Sequence, residues 1–92
     1  FFNDVVMGVD ARRAEVDAMI TANLAEGWAI DRLDRPLRQI LRAGTYELMA
    51  RPDIPTGSVI SEYLDVAHAF YDRKEKGFVN GVLDAIAKSA RG

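Results

Sequence analysis

The sequence predicts an all-α protein, a small bundle of antiparallel helices. Apolar residues recur at three- and four-residue steps along most of the chain, and the alternating apolar and polar signature of a strand is missing. No internal repeat, low-complexity tract or Gly/Ser linker interrupts that periodicity, and the segments between periodic stretches are short, as between antiparallel neighbours in a helical bundle.

Phe2, Val5, Val6, Val9, Val16, Met19, Ile20 and Leu24 mark a first helix from near residue 1 to about residue 25. No capping residue precedes Phe1 and Phe2, so the start of this helix is expected upstream. Gly27 is the expected C-cap, and Trp28, Ala29, Ile30 and Leu33 supply apolar contacts for a short, single-turn connection. A second helix is expected from Asp34, whose carboxylate can cap free N–H groups, with Pro36 tolerated in the first turn. Leu37, Ile40, Leu41, Gly44, Leu48 and Met49 form its buried stripe, and Arg35, Arg38 and Arg42 lie around its other faces.

Arg51-Pro52-Asp53-Ile54-Pro55 breaks that helix, because proline cannot donate to the ladder and disfavours a helical conformation in the residue before it. A third helix follows from about Pro55 to Tyr71, with Val59, Ile60, Leu64, Ala67 and Phe70 inward and Glu62, Asp65 and His68 on other sides. The polar turn Asp72-Arg73-Lys74 leads to a fourth helix from about Glu75 to Ala90, on which Phe78, Val79, Val82, Leu83 and Ile86 are apolar.

Ninety-two residues make one domain or less. The chain has no apolar run long enough to span a membrane, so no membrane partner is expected. It has no cysteine, hence no disulfide or thiolate metal site, and it opens without a signal segment; the default address is cytoplasmic. Twelve Lys plus Arg against fourteen Asp plus Glu give a net charge of −2, too balanced for strong sequence-independent phosphate binding. Positive charge for a nucleic acid must therefore be local. Asp4, Asp10, Glu15, Asp17 and Glu26 make the first helix acidic and a poor RNA surface. His68 is the only histidine, so neither a multi-His metal site nor a Ser/His/Asp triad can be assembled. With no Gly-rich phosphate loop or cofactor motif, no reaction class follows, and neither an enzyme nor a cofactor is expected.

Phe78 carries two readings. Its four-residue steps to Val82 and Ile86 make it a core residue. Its place near the first turn of a helix, just after Arg73, Lys74 and Lys76, makes it a platform for an unpaired RNA base beside cations that hold phosphates. Asn80-Gly81 reads as packing, with Gly81 admitting another backbone and Asn80 bonding a neighbouring loop. Tyr46 is expected to bury its ring and pair its hydroxyl, with a neighbouring helix as one partner. Glu62, if buried, needs a partner such as Arg42; if exposed, it is an ordinary surface charge. Arg35, Arg38 and Arg42 form either a basic ridge or a solvated face.

Three segments, Leu41-Arg42-Ala43-Gly44-Thr45-Tyr46-Glu47-Leu48, Asp53-Ile54-Pro55 and Lys76-Gly77-Phe78-Val79-Asn80-Gly81-Val82-Leu83-Asp84, stand in an order and at a spacing that resemble the C-terminal half of the NusB family of transcription antitermination factors. Ile60-Ser61-Glu62 is similar to the family's Ile-Asn-Glu stretch, with Ser61 in place of Asn. The resemblance implies an all-helical fold of two subdomains. Residues 1–92 then form a NusB-like domain without the basic N-terminal helices, with 1–25 the last helix of the first subdomain and 28–92 the second. Self-association, as in a homodimer, or further residues of the protein would cover the apolar face left open on that helix.

In the family the phenylalanine matching Phe78 belongs to the RNA-contacting surface, which implies an RNA site of Phe78, Lys76, Lys74 and Arg73. NusB proteins often carry Lys directly before this Phe; Gly77 stands there instead, with Lys76 and Lys74 as substitutes. The implied activity is non-enzymatic: binding boxA RNA of ribosomal transcripts together with NusE, a small-subunit ribosomal protein, so that RNA polymerase reads through terminators. Without the family's arginine-rich N-terminal segment, these residues are expected to bind boxA RNA weakly alone. A second reading is the NusB-like RNA-recognition module of a ribosomal RNA cytosine methyltransferase, against which Asp84 counts, since those relatives tend to be basic there. A third is a helical protein-interaction domain that binds no RNA.

Overall fold

Four α-helices and one turn of 3-10 helix make up the regular structure of residues 12–24 and 29–91, the parts that the computed structural model describes. They are α1 (Arg13–Ala22), the 3-10 turn (Ile30–Arg32), α2 (Arg35–Ala50), α3 (Thr56–His68) and α4 (Arg73–Arg91). The all-helical class agrees with the periodicity of the sequence. The expected course of the first helix over residues 1–11, its C-cap Gly27 and the Trp28 contact lie outside the described residues. Within them α1 stops at Ala22, with Asn23 as C-cap, and the Asn23 Nδ2 donates to the Met19 carbonyl at 2.9 Å.

Each helix buries the stripe its sequence repeats. Val16 and Ile20 of α1 meet Leu37, Ile40, Leu41 and Leu48 of α2, Val59, Ile60, Tyr63 and Ala67 of α3, and Val79, Val82, Leu83, Ile86 and Ala87 of α4 in one core. α4 packs most extensively against α2 and α3, while α1 lies chiefly against α2. Burial of these side chains drives the association, since each fully buried Val, Leu or Ile contributes about 1.5–3 kcal/mol. Gly44 sets how closely α2 meets α4: a Cβ there would stand 3.0 Å and 3.2 Å from the two terminal methyls of Leu83, which is itself fully buried.

Polar side chains tie the helix ends together in ways the periodicity does not announce. Asp34 precedes α2, but its carboxylate caps no backbone N–H. It accepts the Tyr71 hydroxyl instead, joining the start of α2 to the α3–α4 connection. Arg42 is no part of a basic ridge; it is buried and makes a two-point ion pair with Asp17 (2.8 and 3.0 Å), fixing α1 to α2. Glu62 is exposed and is not its partner. At the far end Arg91 donates to the carbonyls of Leu48 (2.9 Å), Arg51 (2.7 Å) and Ile54 (2.6 Å) and to Thr56 Oγ1 (3.1 Å). It thereby serves the last turn of α2, whose final carbonyls have no partner within the helix, and the proline-bounded loop after it.

Three further expectations change. α3 ends at His68, three residues before Tyr71, and Phe70 and Tyr71 both turn their N–H groups back to the Ala67 carbonyl (3.0 and 2.8 Å). Phe70 thus leaves the inner face and is 62% exposed, whereas Ala67 is fully buried. Gly81 admits no neighbouring backbone: nothing lies within 4 Å of where its Cβ would be, and the same holds for Gly77. α4 begins at Arg73, so the expected turn residues Arg73 and Lys74 are already helical.

Candidate nucleic-acid interface

Helix periodicity divides the four expected RNA contacts into two groups. Arg73, Lys74, Lys76 and Phe78 all lie in the first two turns of α4. At about 100° per residue, Phe78 stands about 40° around the axis from Lys74 but about 140° from Arg73 and about 160° from Lys76. Arg73 and Lys76 therefore face one flank, while Lys74 and Phe78 face another. The Phe78 ring is half-buried and packs against the core, and part of its surface stays accessible to solvent. Arg73 and Lys74 are exposed and Lys76 is half-buried. The unpaired N–H groups and dipole of the α4 N-terminus add a favourable field for a phosphate beside these cations.

On the flank of Arg73 and Lys76 an open cleft of about 540 Å3 runs between the end of α3 and the start of α4. Leu64, His68 and Tyr71 line one wall, Arg73, Lys76, Gly77 and Asn80 the other, and Asp72 closes the end. The wall from α4 follows directly from sequence spacing, because residues 73, 76, 77 and 80 share one helical face. Lys76 Nζ lies 3.3 Å from His68 Nδ1, a contact between the α4 and α3 sides of the cleft. Tyr71 is held by Asp34, and its phenol is pushed up to about 12, by burial first and then by that hydrogen bond. The Phe70 ring tilts against Tyr71 with centroids 6.3 Å apart, so an exposed aromatic surface adjoins the cleft.

Phe70, His68, Tyr71 and Asn80 were not assigned to the site from sequence. Phe70 continues the apolar step of α3 on paper, and only the end of the helix at His68 turns it outward. Its signal was the polar run Tyr71-Asp72-Arg73 directly after it, which marks the end of the helix without giving its last residue.

Deeper in the bundle, Glu47 is fully buried beside the Tyr63 phenol, and neither carboxylate oxygen makes a hydrogen bond of good geometry. The neighbouring Tyr63 phenol is driven well above its ordinary range, first by burial and then by Glu47. These groups lie inside the core and offer no surface to a polyanion. Tyr46 packs its ring against the core but is only half-buried. Among the described residues no group of three or more His, Cys, Asp or Glu is placed to hold a metal ion, and no helix is long and apolar enough to cross a membrane.

Comparison with known proteins places this arrangement in a family. Residues 1–88 match the model of the NusB family. Transcription antitermination protein NusB of Novosphingobium aromaticivorans is 64% identical over 99% of this chain and 62% of its own length. The protein of the same name from Sphingopyxis alaskensis is 63% identical over 99% of this chain and 61% of its own. The solved structure of T. maritima NusB superposes with a TM-score of 0.89 at 34% identity, covering 97% of this chain and 62% of that one. The chain thus spans about three fifths of the length of the relatives it matches.

Proposed function

The chain belongs to the NusB family, and on that premise we propose that it is an RNA-binding, non-enzymatic transcription antitermination factor that holds boxA-type RNA together with NusE. Bound in this way, it helps RNA polymerase read through terminators in ribosomal RNA transcription, a cytoplasmic task. On this reading α1 belongs to a first subdomain, and the 3-10 turn with α2, α3 and α4 forms the second, on which NusE docks and adds its own RNA surface.

The observation that supports this reading most is the concentration of Arg73, Lys74 and Lys76 in the first turn of α4 in a chain of net charge −2. Three cations at the positive end of a helix create a local anion site where the molecule as a whole offers none. Arg73 and Lys76 hold phosphates on the cleft side; Lys74 does so beside Phe78, whose accessible ring surface meets a base. The relatives at 64% and 63% identity carry the antitermination name, so a methyltransferase module is not favoured.

A fluorescence-anisotropy titration of labelled boxA-type RNA with NusE present tests the reading. Replacing Arg73, Lys74 and Lys76 together by Ala is expected to weaken binding about 100-fold, since charge-assisted contacts contribute about 1.5–3 kcal/mol each when shielded from water and less when exposed. Phe78→Ala is expected to cost about 1–3 kcal/mol of binding. Equal affinity for wild type and the triple variant would remove α4 from the interface.

A further inference from the structure

We propose that the cleft between α3 and α4 is a pocket for one unstacked nucleotide of single-stranded RNA, on the flank of α4 that faces away from Phe78. The proposal rests on the RNA-binding reading and gives it a second, separate contact.

The walls carry complementary parts of a nucleotide site. Arg73 and Lys76 bring two cations to one side, where a phosphate is held by charge. Tyr71 presents a ring whose hydroxyl is already engaged by Asp34, which leaves the ring fixed in place and its hydroxyl unavailable as a ligand. Phe70, 62% exposed and in contact with that ring, extends the stacking surface outward. The exposed Asn80 supplies both an amide donor and an amide acceptor for a base edge, and the Asp72 carboxylate is an acceptor suited to a ribose 2′-hydroxyl.

Room comes from Gly77. A glycine inside a helix costs about 1 kcal/mol relative to Ala, and here no packing contact accounts for it, because nothing lies within 4 Å of its missing Cβ. It lines the cleft together with Lys76 and Asn80, and it adds no side chain to that wall. The volume, about 540 Å3, falls within the roughly 300–1,000 Å3 of small-ligand sites. Leu64 and the Tyr71 ring are the main apolar parts of the lining, too little apolar surface for a partner helix but enough to floor one base.

The test is photocrosslinking of this chain to boxA-type RNA bearing 5-iodouridine at single positions, with NusE present and crosslinked peptides mapped by mass spectrometry, alongside titration of Asn80→Ala. Asn80 is exposed, so its truncation leaves the fold intact. A crosslink at Tyr71 or Phe70, together with about a tenfold loss of affinity in Asn80→Ala, is expected. RNA that binds and crosslinks only at the peptide carrying Phe78, with Asn80→Ala at wild-type affinity, overturns the nucleotide pocket and leaves the RNA-binding reading standing. RNA that does not bind the wild-type chain with NusE removes both.

Discussion

Gly44 and Gly81 both lie inside helices, yet the structure assigns them opposite roles. At Gly44 an added methyl meets the end of the fully buried Leu83 side chain, so the helix-propensity gain of about 1 kcal/mol is set against overpacking of about 1–3 kcal/mol. Gly44→Ala is expected to lower stability by about 1 kcal/mol in urea unfolding. Gly81 faces open space, so Gly81→Ala is expected to raise stability by about 1 kcal/mol. The sequence could not separate the two, because a glycine records the absence of a side chain and not what stands opposite it. Phe70 and Phe78 pose the same difficulty: both sit at apolar steps, and the end of α3 rather than the residue type decides which ring meets solvent. Tyr71 adds a pH signature. Its phenol is raised from 10.0 to about 12, so the contribution of its bond to Asp34 is fully present below pH 10 and is lost as the pH rises through about 12. Tyr71→Phe should lack this component, so the stability difference between wild type and variant narrows across that window.

Among the elements, the buried stripes of α2, α3 and α4 were legible because a face turned to a core repeats every three or four residues. Their ends were less so. α4 starts two residues earlier than its pattern and α3 stops three earlier, since the final turns of a helix depend on which groups meet the free carbonyls and N–H groups. Arg91 shows this most clearly: it lies one residue beyond the expected end of the fourth helix and gathers the carbonyls of Leu48, Arg51 and Ile54. Arg91→Ala is expected to cost about 2–3 kcal/mol, as several half-buried carbonyls lose a charged donor. Limited proteolysis should then cut first within the loop of residues 51–55; an unchanged cleavage pattern would show that the prolines hold this loop unaided. The ion pair of Asp17 with Arg42 was equally hidden, because sequence spacing within one helix says nothing about which side chains meet across two.

For the molecule as a whole, the family and the helical class were readable from three short segments, while the candidate site was readable only as a location. Arg73, Lys74 and Lys76 stand together in the sequence, but a helix turns neighbours to different flanks, and the cleft with its α3 wall exists only once the bundle has formed. A chain of net charge −2 must bind a polyanion through local charge. The most direct measurement of that claim is the salt dependence of boxA-type RNA affinity, with NusE present, for wild type and for the variant with Arg73, Lys74 and Lys76 replaced by Ala. Each cation neutralising a phosphate of single-stranded RNA contributes about 0.7 to the slope of log affinity against log salt, so the variant is expected to be shallower by about 2. Parallel lines for the two proteins would mean that the start of α4 holds no phosphates and that RNA, if bound, is held elsewhere on the bundle.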